Sequence, residues 1–111
     1  MVVVPTMVYP VTLFVQLIAI AVTRDPRIRG IRASSWLRTS AKQRELNELG
    51  RGVPRSLHER GLAMDLIGQP AQVSAMRSAW LAYGLDAVDE VDHLHIELDG
   101  PALRRLGVRF I

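Results

Sequence analysis

The sequence predicts a single small α+β domain, with about three helices and a small antiparallel sheet of about four strands. Three observations carry this. A length of 111 residues suffices for one core and leaves no room for a second. A hydrophobic fraction of 49% is too high for a disordered chain. Segments with apolar residues at helical spacing are interleaved with short apolar runs of strand length, separated by Gly and Pro.

Residues 1–23 carry no charged side chain. A membrane-spanning helix needs about 20 apolar residues in a row, and Pro5 and Pro10 interrupt this run. An export signal would begin with positive charge and end in a small-residue cleavage site, and neither is clear. Val11–Thr23 therefore reads as a buried helix, in preference to an anchor or a signal. Leu13, Phe14, Leu17, Ile18 and Ala21 form one stripe, and because the opposite face is also largely apolar, the helix is expected to be covered nearly all round. Arg24-Asp25-Pro26 stops it.

Ile28–Trp36 alternates loosely and reads as a strand. Ser40 and Gln43 make a capping-box pair that opens a short helix through Leu46 and Leu49, ended by Gly50. Gly50–Gly61 is rich in Gly, Arg and Pro and reads as a loop. Leu62–Ile67 reads as a strand in which Asp65 is out of place. Pro70 begins an amphipathic helix with Val73, Met76, Trp80 and Tyr83 on one face and Gly84 at its end. Trp80 lies on that stripe and is expected in the core. Leu85–Val88 and Asp92–Leu98 read as two more strands. In the last, His93, His95 and Glu97 share one face while Leu94, Ile96 and Leu98 share the other. There is no repeat and no low-complexity tract.

Without cysteine there is no disulfide, no thiolate metal site and no cysteine nucleophile, so any metal falls to carboxylates and the three His. The net charge of +3 is unevenly laid out. Residues 24–60 hold ten basic groups against four acidic ones, and residues 61–100 hold Arg77 alone against seven acids. A polyanion binder would be basic along its whole binding face. An acidic stretch that contains two of the three His points instead to a cation site.

A half-buried strand does not ordinarily spend one face on two His and a Glu, and a lone carboxylate among Leu and Met is expensive. One divalent cation between the strands accounts for both oddities. His58, Asp65 and His95 would supply nitrogen and oxygen ligands to Zn²⁺ and leave a fourth position for water. An isolated His is more often a surface or hydrogen-bonded residue than a ligand. What favours the metal is that all three His and the misplaced Asp fall in two short windows.

Those windows carry a resemblance. Ser56-Leu57-His58-Glu59-Arg60-Gly61-Leu62-Ala63-Met64-Asp65 resembles the Ser-x-His-x-x-Gly-x-Ala-x-Asp signature of the zinc D-alanyl-D-alanine carboxypeptidases. That group shares its fold with vancomycin-resistance dipeptidases, phage L-alanyl-D-glutamate endolysins and the Hedgehog signalling domain. Asp92-His93-Leu94-His95 is similar to the second signature, an acid three residues ahead of the last zinc-binding His. Ser35-Trp36-Leu37-Arg38-Thr39 is similar to the upstream Ser-Gly-Tyr-Arg-type segment, with Trp36 and Leu37 where Gly and Tyr are more usual.

The resemblance implies a hedgehog/DD-peptidase-like fold and one Zn²⁺ per chain held by His58, Asp65 and His95. It implies catalytic roles for Asp92 as base, for Arg38 facing the substrate carbonyl and for His93, with Ser56 and Arg38 contacting substrate. The implied substrate is a peptidoglycan stem peptide, cut at the bacterial cell wall by a periplasmic, extracellular or phage-delivered enzyme. No nucleic-acid partner is implied, and a membrane contact only through residues 1–23. The alternative is a metal-binding structural or interaction module on the same fold, against which Asp92 at the base position counts.

Two local expectations accompany these roles. An offset of three reverses the side of a strand, so Asp92 must sit at the start of its strand, where the polar Asp89-Glu90-Val91 segment turns it inward. Gly61 is expected to let the chain turn sharply into the strand that presents Asp65. Glu97 is expected to support a ligand or to face solvent, and Trp36 is left open between a substrate platform and packing.

Overall fold

The computed structural model describes residues 6–36 and 61–111. The helix opened by Ser40, the loop over 50–60, and Arg38, Ser56 and His58 lie outside the described residues.

Helix α1 spans Pro10–Arg24, with Pro at its first position, where the missing N–H costs nothing. It ends at Asp25, whose carboxylate accepts from the Arg27 backbone N–H at 3.2 Å, and a 3₁₀ turn follows over Pro26–Ile28. Burial of α1 is one-sided, contrary to the expectation of cover all round. Phe14 and Ala21 are buried, whereas Val11, Ile20 and Val15 (60% accessible) face outward. Among the described residues, α1 packs on the 3₁₀ turn and on the helix over 70–82. The outward sector also carries Thr12, Gln16 and Thr23, which need no apolar cover.

The expected strand over 28–36 is shorter at its start. Ile28 closes the 3₁₀ turn and is fully buried, Gly30 adopts φ 91, and strand β2 covers only Arg32–Ser35. Taking β1 as Thr6–Val8, the remaining strands are β3 (Ala63–Ile67), β4 (Ala87–Asp89), β5 (Leu94–Glu97) and β6 (Val108–Phe110). Strands β2, β3, β5 and β4 form a four-stranded antiparallel sheet in that order. Between β2 and β3 the register runs Ala33↔Leu66 and then Ser35↔Asp65, so Ser34 is an extra residue in the edge strand. Its hydroxyl donates to the Asp65 carbonyl at 3.3 Å.

Helix α2 spans Pro70–Ala82, as its spacing predicts, and Gly84 follows at φ 79. Gln72 anchors its start: Oε1 accepts from the Gln69 N–H at 2.6 Å, and Nε2 donates to the Arg29 carbonyl at 2.6 Å. Met76 and Trp80 from α2 are fully buried together with Phe14, Ile28, Leu66, Leu94 and Ile96. Trp80 is the centre of this core, as expected of its stripe. Its ring stacks on Phe14 at 5.7 Å and meets Tyr83 edge-on at 5.6 Å, and its indole N–H donates to the Glu97 carbonyl at 2.9 Å. The Tyr83 hydroxyl donates to the Leu17 carbonyl at 2.6 Å, and burial pushes its pKa up.

Two features at the ends of the chain go beyond the elements that the residue spacing predicts. Residues Pro101–Leu106 form a short helix α3, closed by Gly107 at φ 67, and β6 then pairs in parallel with β1. Gly100 has a job there: a Cβ at that position would lie 2.3 Å from the Gly84 carbonyl oxygen. The described residues thus make a small compact α+β domain with three helices and a four-stranded antiparallel sheet. No helix among them is long and apolar enough to cross a membrane.

Candidate metal centre

Strand alternation builds the site. Met64 and Leu66 of β3 and Leu94 and Ile96 of β5 share one side of the sheet and enter the core with α2. Asp65, His93, His95 and Glu97 consequently share the other side. Asp65 and His95 are direct partners in the β3–β5 register, which brings two of the three expected ligands together from positions 30 residues apart. The Asp65 Oδ1 lies 3.0 Å from His95 Nδ1, and Asp65 is only 5% exposed. Glu97, two residues on from His95 along the same face, places Oε1 2.9 Å from His95 Nε2.

His93 closes the other end of the row. Its Nε2 lies 3.6 Å from Asp65 Oδ1 and 3.6 Å from Glu90 Oε2, and its Nδ1 lies 2.6 Å from Asp92 Oδ1. A continuous line of polar groups therefore runs Asp92, His93, Asp65, His95, Glu97. The Asp65 carboxylate holds the His95 imidazole above its usual pKa; burial opposes this, and the Glu97 hydrogen bond adds to it.

Asp65 and His95 offer the oxygen and nitrogen donor types that zinc takes. A neutral imidazole carries one N–H, yet both ring nitrogens of His95 face a carboxylate oxygen. One nitrogen must then aim a lone pair at a carboxylate, unless a second proton or a metal ion intervenes. A tetrahedral zinc site sets neighbouring ligand atoms about 3.4 Å apart, close to the 3.0 Å between Asp65 and His95. To hold one ion, the two donors would turn from each other toward a common point, since each now faces the other. The third expected ligand, His58, lies outside the described residues, as do Arg38 and Ser56.

Asp92 sits just ahead of β5, at the start of the strand as expected, but it is not turned inward. Its side chain is 85% exposed and bonds to His93. The cause is local: the Glu90 N–H donates to the His93 carbonyl at 2.9 Å, closing a tight turn that carries Asp92 on its outer side. Beside this turn lies a cleft of about 250 Å³, lined by Gly68, Pro70, Asp89, Glu90, Asp92 and His93 among others. Gly61 adopts φ 71, in agreement with the sharp turn expected before β3. Trp36 packs: its indole N–H donates to the Gly61 carbonyl at 2.8 Å and its partly buried ring lies against the core.

A second acidic group was not singled out from the sequence. Among the described residues, Asp86, Glu97 and Asp99 form a trio whose ligand atoms all lie within 4.8 Å of one another and could hold a metal ion. Asp86 joins it because its carbonyl accepts the Glu97 N–H at 3.0 Å across the sheet, a contact with no signature in residue spacing. Asp99 is also paired with Arg104 at 2.7 Å. No protein-family model, curated protein or solved structure matches this chain.

Proposed function

We propose that this chain is a zinc-dependent peptidase acting on peptidoglycan stem peptides at the bacterial cell wall. On this reading it is a D-Ala-D-Ala carboxypeptidase or an L-Ala-D-Glu-type endopeptidase on a hedgehog/DD-peptidase-like fold. The observation that supports it is the buried Asp65 facing His95 at 3.0 Å, each the last residue of one of the two signature segments. His58, Asp65 and His95 are the proposed ligands of one Zn²⁺.

When bound, zinc supplies a Lewis acid that polarises the scissile carbonyl and makes a water more acidic. Asp92 takes the proton of the attacking water and passes it to the leaving amine. His93, 2.6 Å from Asp92 and 3.6 Å from Asp65, stands between that carboxylate and the pair and links them. Arg38 offers a planar fork to the oxyanion or to a substrate carboxylate, and Ser56 contacts the bound peptide.

The test is digestion of purified peptidoglycan followed by mass analysis of the fragments. New stem-peptide ends are expected, abolished by a chelator and reduced about 10²- to 10⁴-fold in Asp92→Ala. An unchanged fragment pattern would remove the enzyme reading. The exposure of Asp92 favours one second reading, a metal-binding structural or interaction module on the same fold. Zinc binding without hydrolysis would select it.

A further inference from the structure

We infer that Glu97 is the positioning residue of the metal centre: it fixes which nitrogen of His95 carries the proton, and thereby how tightly the ion is held. This inference rests on the zinc reading above. A ring that gives its Nε2–H to a carboxylate keeps Nδ1 free of a proton and makes it a better donor to a metal. Glu97 Oε1 stands 2.9 Å from Nε2, while Nδ1 is the nitrogen that faces Asp65.

The placement of Glu97 is set by the core rather than by a mobile surface. Its carbonyl accepts the Trp80 indole N–H at 2.9 Å, its N–H donates to the Asp86 carbonyl at 3.0 Å, and its register partner Ala63 is fully buried. Asp86 and Asp99 stand close by. Membership of Glu97 in that acidic trio is thus explained without a second cation, because Glu97 is engaged by His95 and Asp99 by Arg104.

Zinc alone is the probe. The full chain, stripped with a chelator and dialysed, is titrated with Zn²⁺ against a chromophoric competitor as wild type, Glu97→Gln, Glu97→Ala and Asp65→Ala. Glu97→Ala is expected to bind zinc about 10- to 100-fold more weakly. Glu97→Gln keeps an acceptor oxygen without the charge and is expected to fall between wild type and Glu97→Ala. In ¹⁵N spectra of the metal-free protein at a pH where the His95 ring is neutral, wild type should show the Nε2–H form, and Glu97→Ala should lose that preference. Thermal unfolding in chelator separates these effects from misfolding, and if Glu97→Ala does not fold, the near-isosteric Gln variant carries the comparison. Unchanged zinc affinity and an unchanged His95 tautomer in the Glu97 variants, with binding abolished in Asp65→Ala, would overturn the role of Glu97 and leave the metal reading standing. A wild type that takes up no zinc removes both.

Discussion

Asp65 shows how far one residue can be read alone. A carboxylate between Met64 and Leu66 is costly to bury without a partner, so its presence in a strand announces that a partner exists. The structure supplies His95 at 3.0 Å and His93 at 3.6 Å. The His95 ring gives a pH prediction whose sign follows from linkage. Asp65 and Glu97 raise its pKa in the folded chain above the ordinary 6.5. The stabilisation is therefore complete below the unfolded value and is lost as pH rises through the folded one. Thermal unfolding of the chelated protein should show a midpoint that falls as pH rises above 6.5, and His95→Gln should flatten that part of the profile. A midpoint that climbs over the same range in wild type would contradict the assignment.

At the scale of elements, α1 separates composition from packing. Its residues are apolar on nearly every side, which predicts full cover, yet only the face with Phe14 and Ala21 is enclosed. Composition says that burial would be favourable; it does not say that a second layer exists to provide it. Phe14→Ala should cost about 3–5 kcal/mol through the cavity left against Trp80, whereas Val15→Ala should stay within about 0.5 kcal/mol. Equal losses in denaturant unfolding would mean that α1 is covered on both sides. The turn around Gly100 gives a second check. Gly100→Ala should destabilise by about 1–3 kcal/mol, because the methyl meets the Gly84 carbonyl, which is backbone and cannot rotate away. The strand and helix spacings of 62–67, 70–84 and 92–98 were legible because each is long enough to show its period. Helix α3 has six residues and β1 and β6 three each, too short for a period to appear.

At the scale of the whole molecule, a ligand that binds only the folded chain shifts the unfolding equilibrium by mass action. Zinc at about 100 times its dissociation constant should add about 2.7 kcal/mol. This gain should disappear in His58→Ala and in Asp65→Ala, and differential scanning calorimetry with and without chelator measures it. An equal rise in the two variants would assign the effect to zinc bound elsewhere, for which the Asp86, Glu97 and Asp99 trio is the alternative place. What the order of residues determined by itself was the α+β class, the core helix over 70–82, and the alternation that sends His93, His95 and Glu97 to one side of a strand. These follow from local periods, in which each residue is judged against neighbours a few positions away. Only the tertiary structure decided that His95 stands opposite Asp65, that Glu97 caps its far nitrogen within reach of Asp86 and Asp99, and that Asp92 turns outward. Strand register and turn geometry depend on how separate segments pair, and no spacing within a single segment encodes that pairing.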